Sequence, residues 1–370
     1  MSKLMTDHDF IGARVEDLPS PVVLIDLPTV QRNIAAMAAH ADKLDVALRP
    51  HWKTTKSAQV AGLQLEAGAS GHTVATAQEA VALADAGFTD IFWAYPTVGP
   101  YRVAAALDLA QRTRLIVGPD SVAAARPLAT AATERGIEVE VRLEVDTGVN
   151  RTGVEPEAAL EVAKELSRMT GIHLEGIFTH EGHVQGVGTD HALRERTGIA
   201  AGALLAEVAE EIRTGGIGLD SVSVGSTAGV QSAPTVAGIT EARPGTYIYG
   251  DENQVFIGTI ASDETAMTVL SRVISVERSG PVLIDAGIKA MSSDASMHGD
   301  GRIGTVPSGP GVVVAGHEEH GFLRGSVGLR VGDLVSIRPN HACGVTNMHS
   351  QVFAVENGLV VDRWATLGRH

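Results

Sequence analysis

The stretch VEVRLEVDTGVNRTGVEPEAALEVAKELSRMTGIHLEGIFTH, residues 139–180, contains the pattern on which the fold prediction depends. It begins with the β-branched run 139–146, continues through an Ala- and Leu-rich segment at 155–169, and ends in a second apolar run at 174–180. In the middle segment apolar residues recur at i, i+3 and i+4, as in an amphipathic helix. A strand, a helix and another strand in this order indicate a right-handed parallel crossover.

The same alternation extends in both directions, from residue 20 to about residue 250. We predict eight strands, at 22–26, 48–53, 72–76, 90–96, 114–118, 139–146, 174–180 and 221–226. Eight alternating units close into a (β/α)8 TIM barrel. A doubly wound open sheet is the alternative, and the first turn lacks the glycine-rich pattern that such sheets often carry.

Beyond residue 255 the pattern changes to alternating apolar and polar residues with glycine turns and no helical period. The segment VENGLVVD places Asn357 and Gly358 between two apolar runs, which is a strong hairpin signal. We therefore predict a barrel domain at 20–254 and a C-terminal antiparallel β domain at 255–370. Residues 1–19 could belong to either domain.

Charge and composition exclude several classes of partner. The formal net charge of the 370 residues is −15, which disfavours binding to nucleic acid or to an anionic membrane surface. No apolar run approaches the length of a membrane span, and the first residues, MSKLMTDHDF, contain no apolar signal core. Cys343 is the single cysteine, so no intramolecular disulfide forms. We predict a cytoplasmic protein without nucleic-acid or membrane partners.

The residues that follow the predicted strands are candidates for chemistry, because barrel active sites lie at the C-terminal ends of strands. Lys53 follows the second run, where an amine next to an apolar wall can lose its proton and attack a carbonyl. Ser226 and Thr227 stand between glycines, an arrangement suited to binding phosphate. Taken singly, these features are more typical of a solvated rim lysine and a tight turn.

The segment Arg49-Pro50-His51-Trp52-Lys53-Thr54 resembles the Arg-Pro-His-x-Lys-Thr segment of fold-type III pyridoxal-phosphate (PLP) enzymes. This group includes alanine racemase, and the segment is similar to its D-threonine aldolase and D-serine dehydratase branch. The resemblance covers nearly the whole chain and implies that Lys53 holds PLP as a Schiff base. Lys56 is the competing lysine, and we expect it to begin the following helix instead.

Further segments extend the resemblance. VDTGVNRTG (145–153) is similar to the segment whose arginine binds the PLP phenolic oxygen, which implies this role for Arg151. His180 matches the histidine that lies against the PLP ring. Two short stretches resemble the phosphate-binding loops, and they imply phosphate contacts from Gly225, Ser226, Thr227, Gly245 and Thr246.

Arg243, in the segment RPGTYIYG, resembles the racemase arginine that faces the pyridine nitrogen of PLP. A guanidinium does not readily give up a proton, so the ring nitrogen beside it would remain unprotonated. The alternative is that Arg243 only orders its loop.

His341 and Cys343 form a His-x-Cys pair in the C-terminal domain. On an extended segment the two side chains would lie on one face and could share a metal. Imidazole and thiolate favour zinc over magnesium or calcium. A buried cysteine without a metal is the simple alternative. The resemblance implies a metal, because the D-serine dehydratase branch has a zinc-binding His-x-Cys pair at this place. Some D-threonine aldolases have His-x-Asp there and use a harder ion, so manganese and magnesium are the other candidates.

The resemblance implies a PLP- and metal-dependent lyase of β-hydroxy-D-amino acids. Its catalytic residues would be Lys53, His180, His341 and Cys343. We predict retro-aldol cleavage to glycine and an aldehyde first, because FWAYP (92–96) and TNMH (346–349) are similar to the aldolase side. Deamination to a 2-oxo acid and ammonia, as by D-serine dehydratase, is the alternative.

Two other functions are disfavoured. An amino-acid racemase is disfavoured because Lys53 is followed by Thr-Thr-Lys-Ser and not by Ala-Asn-Ala-Tyr-Gly. A PLP-binding protein without turnover is disfavoured by the additional β domain. The resemblance also implies a homodimer whose active site lies at the subunit interface.

Overall fold

The computed structural model describes residues 10–277 and 279–369, which divide into two compact units. The first, here called the barrel unit, contains residues 34–247, 257–259 and 367–369. The second, the β unit, contains residues 10–33 and 248–256 and the described part of 260–366. These bounds differ from the predicted 20–254 and 255–370, mainly because the first strand belongs to the β unit.

Eight parallel strands build the barrel unit. Numbered along the whole chain, in which β1 is Val22–Asp26 of the β unit, they are β2 (Ala47–Leu48), β3 (His72–Val74), β4 (Asp90–Trp93), β5 (Arg114–Val117), β6 (Val139–Glu144), β7 (Ile172–Phe178), β8 (Ser221–Val224) and β9 (Glu241–Ala242). Pairing is continuous in the order β2-β9-β8-β7-β6-β5-β4-β3. A parallel bridge between His51 and Thr73 joins the two ends, and the Thr73 N–H donates to Pro50 O at 2.9 Å. The predicted (β/α)8 barrel is confirmed.

One predicted barrel strand was wrong and another was predicted too long. Residues 22–26 pair with two strands of the β unit, antiparallel with Met267–Ser275 and parallel with Gln351–Glu356. The eighth barrel strand is instead β9, which lies between β8 and β2. It has two residues and begins with a buried glutamate, so no apolar run marked it. The strand predicted at 48–53 ends at Leu48, and residues 52–54 form a 3-10 turn.

The helices of this part of the chain are α1 (Leu27–Lys43), α2 (Ala58–Glu66), α3 (Ala77–Asp85), α4 (Pro100–Ala110), α5 (Val122–Arg135), α6 (Ala159–Leu166), α7 (His183–Gly186) and α8 (His191–Thr214). Hydroxyl side chains begin three of them: Ser57, Thr76 and Ser121 each accept a backbone N–H of the first turn. No helix among the described residues is both long and apolar enough to cross a membrane.

The barrel interior contains a compensated charge network in addition to aromatic side chains. Glu241 accepts hydrogen bonds from Arg49 at 2.7 Å and from Arg142 at 2.5 Å, and all three side chains are buried. Arg142 also donates to Glu175 at 2.6 Å and lies over the ring of Phe92. Because every buried charge has a partner, the network is tolerated in the core.

The strands of the β unit after β1 are β10 (Met267–Ser275), β11 (Val282–Ile284), β12 (Gly304–Thr305), β13 (Val312–Gly316), β14 (Gly321–Arg324), β15 (Leu334–Pro339), β16 (Gln351–Glu356) and β17 (Leu359–Ala365). They form one sheet in the order β11-β14-β13-β12-β15-β10-β1-β16-β17, and a further β10–β11 pairing closes six strands into a barrel. The predicted hairpin is confirmed: Asn357 and Gly358 join β16 to β17 with φ values of 51° and 76°.

Two features of the β unit differ from or complete the prediction. Short helices are present, namely α9 (Glu252–Phe256), α10 (Ile288–Met291) and α11 (Ala342–Met348), although the sequence pattern beyond residue 255 predicted none. Residues 10–19 join this unit, because the Gly12 N–H donates to Val360 O and the Val360 N–H donates to Ala13 O. Residues 1–9, whose placement was left open, lie outside the described residues.

Candidate cofactor and metal sites

Lys53 lies in a 3-10 turn, Trp52–Thr54, directly after the first barrel strand. His51 begins the turn by accepting the Lys53 N–H on Nδ1 at 3.4 Å. The fully buried Trp52 anchors it, because its indole N–H donates to Ser57 O at 2.9 Å. The backbone of Lys53 is therefore held on both sides while its side chain stays half-buried.

Lys56 makes different contacts. Its Nζ pairs with Glu79 at 2.6 Å and donates to Gly368 O at 2.9 Å, and both charged side chains are buried. It does not begin a helix as expected. Its φ is 47°, and Ser57 and Ala58 begin α2. Because a cofactor bond at Lys56 would break a buried ion pair, these contacts favour Lys53.

His180 follows β7 and is held by one strong hydrogen bond. Its Nδ1 lies 2.6 Å from Gly225 O, and since a carbonyl only accepts, Nδ1 carries the proton and Nε2 has the lone pair. Burial, and then the positive charge of Lys53, lower the pKa of His180 from 6.5 to about 3. The same two causes hold the pKa of His51 well below its ordinary value. At neutral pH both imidazoles are therefore uncharged.

Arg151 lies in a loop that Asp146 shapes. The Asp146 carboxylate accepts the N–H groups of Gly148, Val149 and Asn150 at 2.8–2.9 Å. A Cβ at Gly153 would lie 2.6 Å from Asp146 N, so the loop can follow this path only with glycine there. The turn presents Arg151 with an exposed side chain, whose charge contributes to the lowered pKa of His180.

Arg243 is buried inside the barrel. Its guanidinium donates to Ser223 Oγ and to Thr179 O, the latter at 2.7 Å, and lies over the rings of Phe92 and Phe178. Burial lowers the pKa of Arg243 from 12.5 to about 10, so the group remains charged at neutral pH. These contacts support the alternative that Arg243 orders its loop, and contact with a pyridine nitrogen stays a prediction.

Two loops at the ends of β8 and β9 contain the residues predicted to bind phosphate. The Tyr247 N–H donates to Thr227 Oγ1 at 3.2 Å, which joins the loops. A Cβ at Gly245 would lie 3.0 Å from Thr54 Oγ1 and 3.1 Å from His51 Cβ, so the second loop packs closely on the Lys53 segment. The structure therefore brings Lys53 and the two predicted phosphate loops together.

The donors of these loops fit an anion such as the PLP phosphate. Among the described residues, no acceptor is bonded to the backbone N–H groups of Thr227, Gly245 and Thr246, all of which belong to buried residues. Other predicted donors are engaged. The Gly225 N–H and the Ser226 hydroxyl donate to the carboxylate of Glu181 at 2.8 and 3.0 Å. Ser226 has one hydroxyl proton, so in this arrangement it cannot also donate to a phosphate.

In the β unit, His341 and Cys343 lie at the start of α11 and not on the extended segment that we predicted. His341 is extended and precedes the helix, and Cys343 is in its first turn. His341 Nδ1 bonds to the fully buried Asp251 at 2.9 Å, and Asp251 also accepts the Ala342 N–H at 3.1 Å. Cys343 chiefly, with Asp251 adding to it, raises the pKa of His341 well above its ordinary value.

This donor set fits a divalent metal. A carboxylate behind the imidazole Nδ1 orients Nε2 outward, as is usual for metal-binding histidines. Imidazole and thiolate are ligands suited to zinc. Within the described chain no group of three or more His, Cys, Asp or Glu side chains could hold an ion. His341 and Cys343 would therefore supply two of the ligands of such an ion.

Sequence reasoning missed three residues: His51, Glu181 and Asp251. His51 and Glu181 could have been noticed, because each stands next to a predicted site residue at a strand end. Asp251 lies 90 positions from its partner His341, and nothing in the local sequence connects them.

The fold and the barrel site define a class, the fold-type III PLP-dependent enzymes. Residues 25–253 match the model of the alanine racemase N-terminal domain, and residues 266–355 match that of a serine dehydratase domain. The chain belongs to the alanine racemase-like PLP family, in the branch of lyases that contains D-threonine aldolase and D-serine dehydratase.

Individual relatives support this assignment. D-threo-3-hydroxyaspartate dehydratase of Delftia sp. (strain HT23) is 37% identical over 88% of this chain and 91% of its own. The crystal structure of D-threonine aldolase from Filomicrobium marinum is similar with a TM-score of 0.92 and 27% identity, over 97% of each chain. A D-threo-3-hydroxyaspartate dehydratase with a cysteine-to-alanine mutation, in the metal-free form, has a TM-score of 0.87 and 34% identity, over 96% of this chain and 99% of that one.

Proposed function

We propose that this protein is a PLP- and divalent-metal-dependent lyase of β-hydroxy-D-amino acids. The observation that carries the proposal is the pair His341 and Cys343 at the start of α11, with Asp251 behind the imidazole. A racemase of the same family needs no such pair. A lyase that removes or cleaves at a β-hydroxyl group gains from a Lewis acid for that oxygen.

The barrel residues have definable tasks in such an enzyme. Bound PLP supplies an electron sink for bonds at the substrate Cα. Lys53 would hold it, the N–H groups of Thr227, Gly245 and Thr246 would bind its phosphate, and Arg151 would neutralise its phenolic oxygen. His180 stays uncharged at neutral pH, so it adds no positive charge beside Lys53. The amine of Lys53 is then the group available to take a proton from Cα.

Two reactions fit this class. Retro-aldol cleavage breaks Cα–Cβ after loss of the hydroxyl proton and gives glycine and an aldehyde. Dehydration removes the Cα proton and the β-hydroxyl, and hydrolysis of the resulting enamine gives a 2-oxo acid and ammonia. A specific residue favours the second: Cys343 matches the His-x-Cys pair of the dehydratase branch. The relative that is 37% identical is also a dehydratase. We therefore place dehydration first and keep the retro-aldol reaction as the second candidate.

Product analysis with a panel of D-amino acids tests the proposal. We expect D-threo-3-hydroxyaspartate or D-serine to yield ammonia and a 2-oxo acid, with the L-isomers inert. Glycine and an aldehyde from D-threonine or D-phenylserine would establish the retro-aldol reaction instead. Racemisation of alanine without metal, or PLP binding with no turnover of any member of the panel, would overturn the lyase proposal.

Three finer properties belong to the same proposal. Zinc is the expected metal, with manganese and magnesium as the other candidates. We also expect a homodimer with its active site at the subunit interface, and a cytoplasmic location. Metal analysis after purification without chelator and light scattering of the purified protein test the first two.

A further inference from the structure

Glu181 is a buried carboxylate that the mechanism above does not use. It directly follows His180 at the end of β7 and is fully buried. Among the described residues no lysine or arginine forms an ion pair with it. Its two oxygens instead accept uncharged donors of one loop, the Gly225 N–H at 2.8 Å and the Ser226 hydroxyl at 3.0 Å. A buried carboxylate is costly unless it is hydrogen-bonded, so the loss of either donor would be unfavourable.

His180 and Glu181 hold the same residue from two sides. The His180 Nδ1–H donates to Gly225 O, while the Gly225 N–H donates to Glu181. Ser226 continues the connection, because its Oγ accepts the Gly229 N–H at 2.9 Å. The peptide unit that contains the Gly225 carbonyl lies between two groups that Glu181 holds, the Gly225 N–H and the Ser226 hydroxyl. The direction of this carbonyl, which accepts the His180 Nδ1–H, therefore depends on Glu181.

Packing leaves this arrangement little freedom. A Cβ at Gly229 would lie 2.7 Å from Glu181 Oε1, and a Cβ at Gly225 would lie 2.9 Å from Arg243 Cβ. Contacts this short are essentially absent for real Cβ atoms, so the loop passes as close to Glu181 as a backbone can. The path of residues 225–229 is consequently limited by Arg243 at Gly225 and by Glu181 at Gly229.

We propose that Glu181 is a positioning residue that acts through Gly225 on two groups of the cofactor site. It fixes the Nδ1–H tautomer of His180, and it holds the Ser226–Gly229 turn so that the Thr227 N–H faces the phosphate. The inference rests on the PLP site of the proposed function but is independent of which reaction the enzyme performs.

The test is the variant Glu181→Gln, with Glu175→Gln as its matched control. A glutamine cannot accept both donors. With its Oε1 on the Gly225 N–H, its amide N–H would donate to Ser226 Oγ and the Ser226 hydroxyl proton would lose its acceptor. In the opposite orientation the amide N–H would face the Gly225 N–H, and this backbone donor would be unpaired. Glu175 is a second buried glutamate. It lies in β7, the strand that precedes Glu181, and it pairs with Arg142 in the barrel interior. The control variant thus loses a buried charge and stability without touching Gly225.

Nitrogen-15 NMR of histidine-labelled apo-protein reads the tautomer directly, with the His180 signal assigned through a His180→Asn variant. We expect pure Nδ1–H in the unsubstituted protein and in Glu175→Gln, and a mixture of tautomers in Glu181→Gln. The PLP dissociation constant, followed by fluorescence, should rise about tenfold in Glu181→Gln only.

Glu181→Gln with an unchanged tautomer and an unchanged PLP dissociation constant would overturn the inference. If that variant does not fold, Ser226→Ala removes one donor to the same carboxylate and should raise the PLP dissociation constant about threefold. An unchanged constant there would overturn the proposed control of the phosphate loop. If the unsubstituted protein bound no PLP, the cofactor proposal would fail, whereas the tautomer measurement would still decide the role of Glu181.

Discussion

The histidines of the barrel unit and of the β unit show opposite electrostatics. His180 is surrounded by Lys53, Arg151 and Arg243, and its pKa falls to about 3, with burial as the largest cause. His341 has Cys343 and Asp251 beside it, and its pKa rises well above the ordinary value. One imidazole is thus kept uncharged by its surroundings. The other is held protonated by the acidic groups beside it.

The comparison shows how one residue type serves two kinds of site. In the barrel unit the tautomer is fixed by a backbone carbonyl, and the neighbouring charges come from basic residues that suit an anionic cofactor. In the β unit the imidazole is oriented by a carboxylate, and the neighbouring acidic groups suit a cation.

Replacing Lys53 by alanine should remove essentially all lyase activity, because no other amine of the segment is available for the cofactor. Borohydride reduction of the unsubstituted protein should attach PLP to a peptide containing residue 53, as mass spectrometry can show. The melting temperature should change little, since Lys53 lies at a strand end and its side chain is half-buried. Labelling of Lys56 would contradict the assignment and would require the buried pair with Glu79 to break.

Replacing Cys343 by alanine should remove the bound metal and lower activity by at least about 100-fold, while PLP stays bound. Elemental analysis and the cofactor absorbance measure the two effects separately. Asp251→Asn is the sharper variant, because it keeps both ligands and changes the charge of the group that holds His341 Nδ1 and the Ala342 N–H. We expect it to weaken metal binding by about 10–100-fold. Full metal content and full activity in Cys343→Ala would place the metal site elsewhere.

Replacing Gly245 by valine should raise the PLP dissociation constant by about tenfold or more, because the new side chain meets Thr54 and His51. Equilibrium dialysis of PLP measures this. Gly136→Ala is a suitable control, since a Cβ there meets no atom within 4 Å and its left-handed φ of 67° affects only a helix end. Equal PLP retention in Gly245→Val and the unsubstituted protein would separate Gly245 from the phosphate site.

The smallest expected effect is the dependence of apo-protein stability on pH. The folded-state pKa of His180 lies below its unfolded value, so unfolding takes up a proton as the pH falls below about 6.5. The His180 contribution is complete above that pH and is progressively lost toward pH 3. Between pH 7 and 5.5 the free energy of unfolding should fall by about 1 kcal/mol more in the unsubstituted protein than in His180→Asn. Urea titrations at several pH values give the free energy of unfolding of both proteins. The same pH dependence in the two would contradict an uncharged His180 at neutral pH.

Much of the fold could be predicted from local sequence patterns. The elements that were predicted wrongly or missed have physical reasons. The run 22–26 is apolar enough for any buried strand, and periodicity does not reveal whether its partners lie in one sheet or another. Glu241–Ala242 is too short to produce a pattern at all. Its glutamate can be buried because it pairs with Arg49 and Arg142, which are far from it in the sequence. Helix α11 was missed because ACGVTNM contains few strong helix formers.

Some residues of the candidate site could likewise be predicted from the sequence, and others could not. Lys53, His180, Arg151 and the phosphate loops could be located because each belongs to a short contiguous motif at a strand end. The acceptors that orient them could not be located equally well. Glu181 stands next to His180, but the sequence does not show that it accepts the Gly225 N–H, and Asp251 is joined to His341 only by the fold. Contacts between distant residues determine protonation and orientation, and a single sequence does not contain them in readable form.

The shared carboxylate of Glu241 has a consequence for directed evolution of this enzyme. Its oxygens accept hydrogen bonds from Arg49, Arg142 and Ser223, and Ser223 Oγ in turn accepts a hydrogen bond from Arg243. In a random library that includes position 241, most variants would lose this carboxylate, and two buried guanidinium groups would have no counter-charge there. Such variants would misfold before any screen for activity. Diversity is better introduced at exposed loop positions such as Tyr95 and Val98, whose side chains do not take part in a buried ion pair.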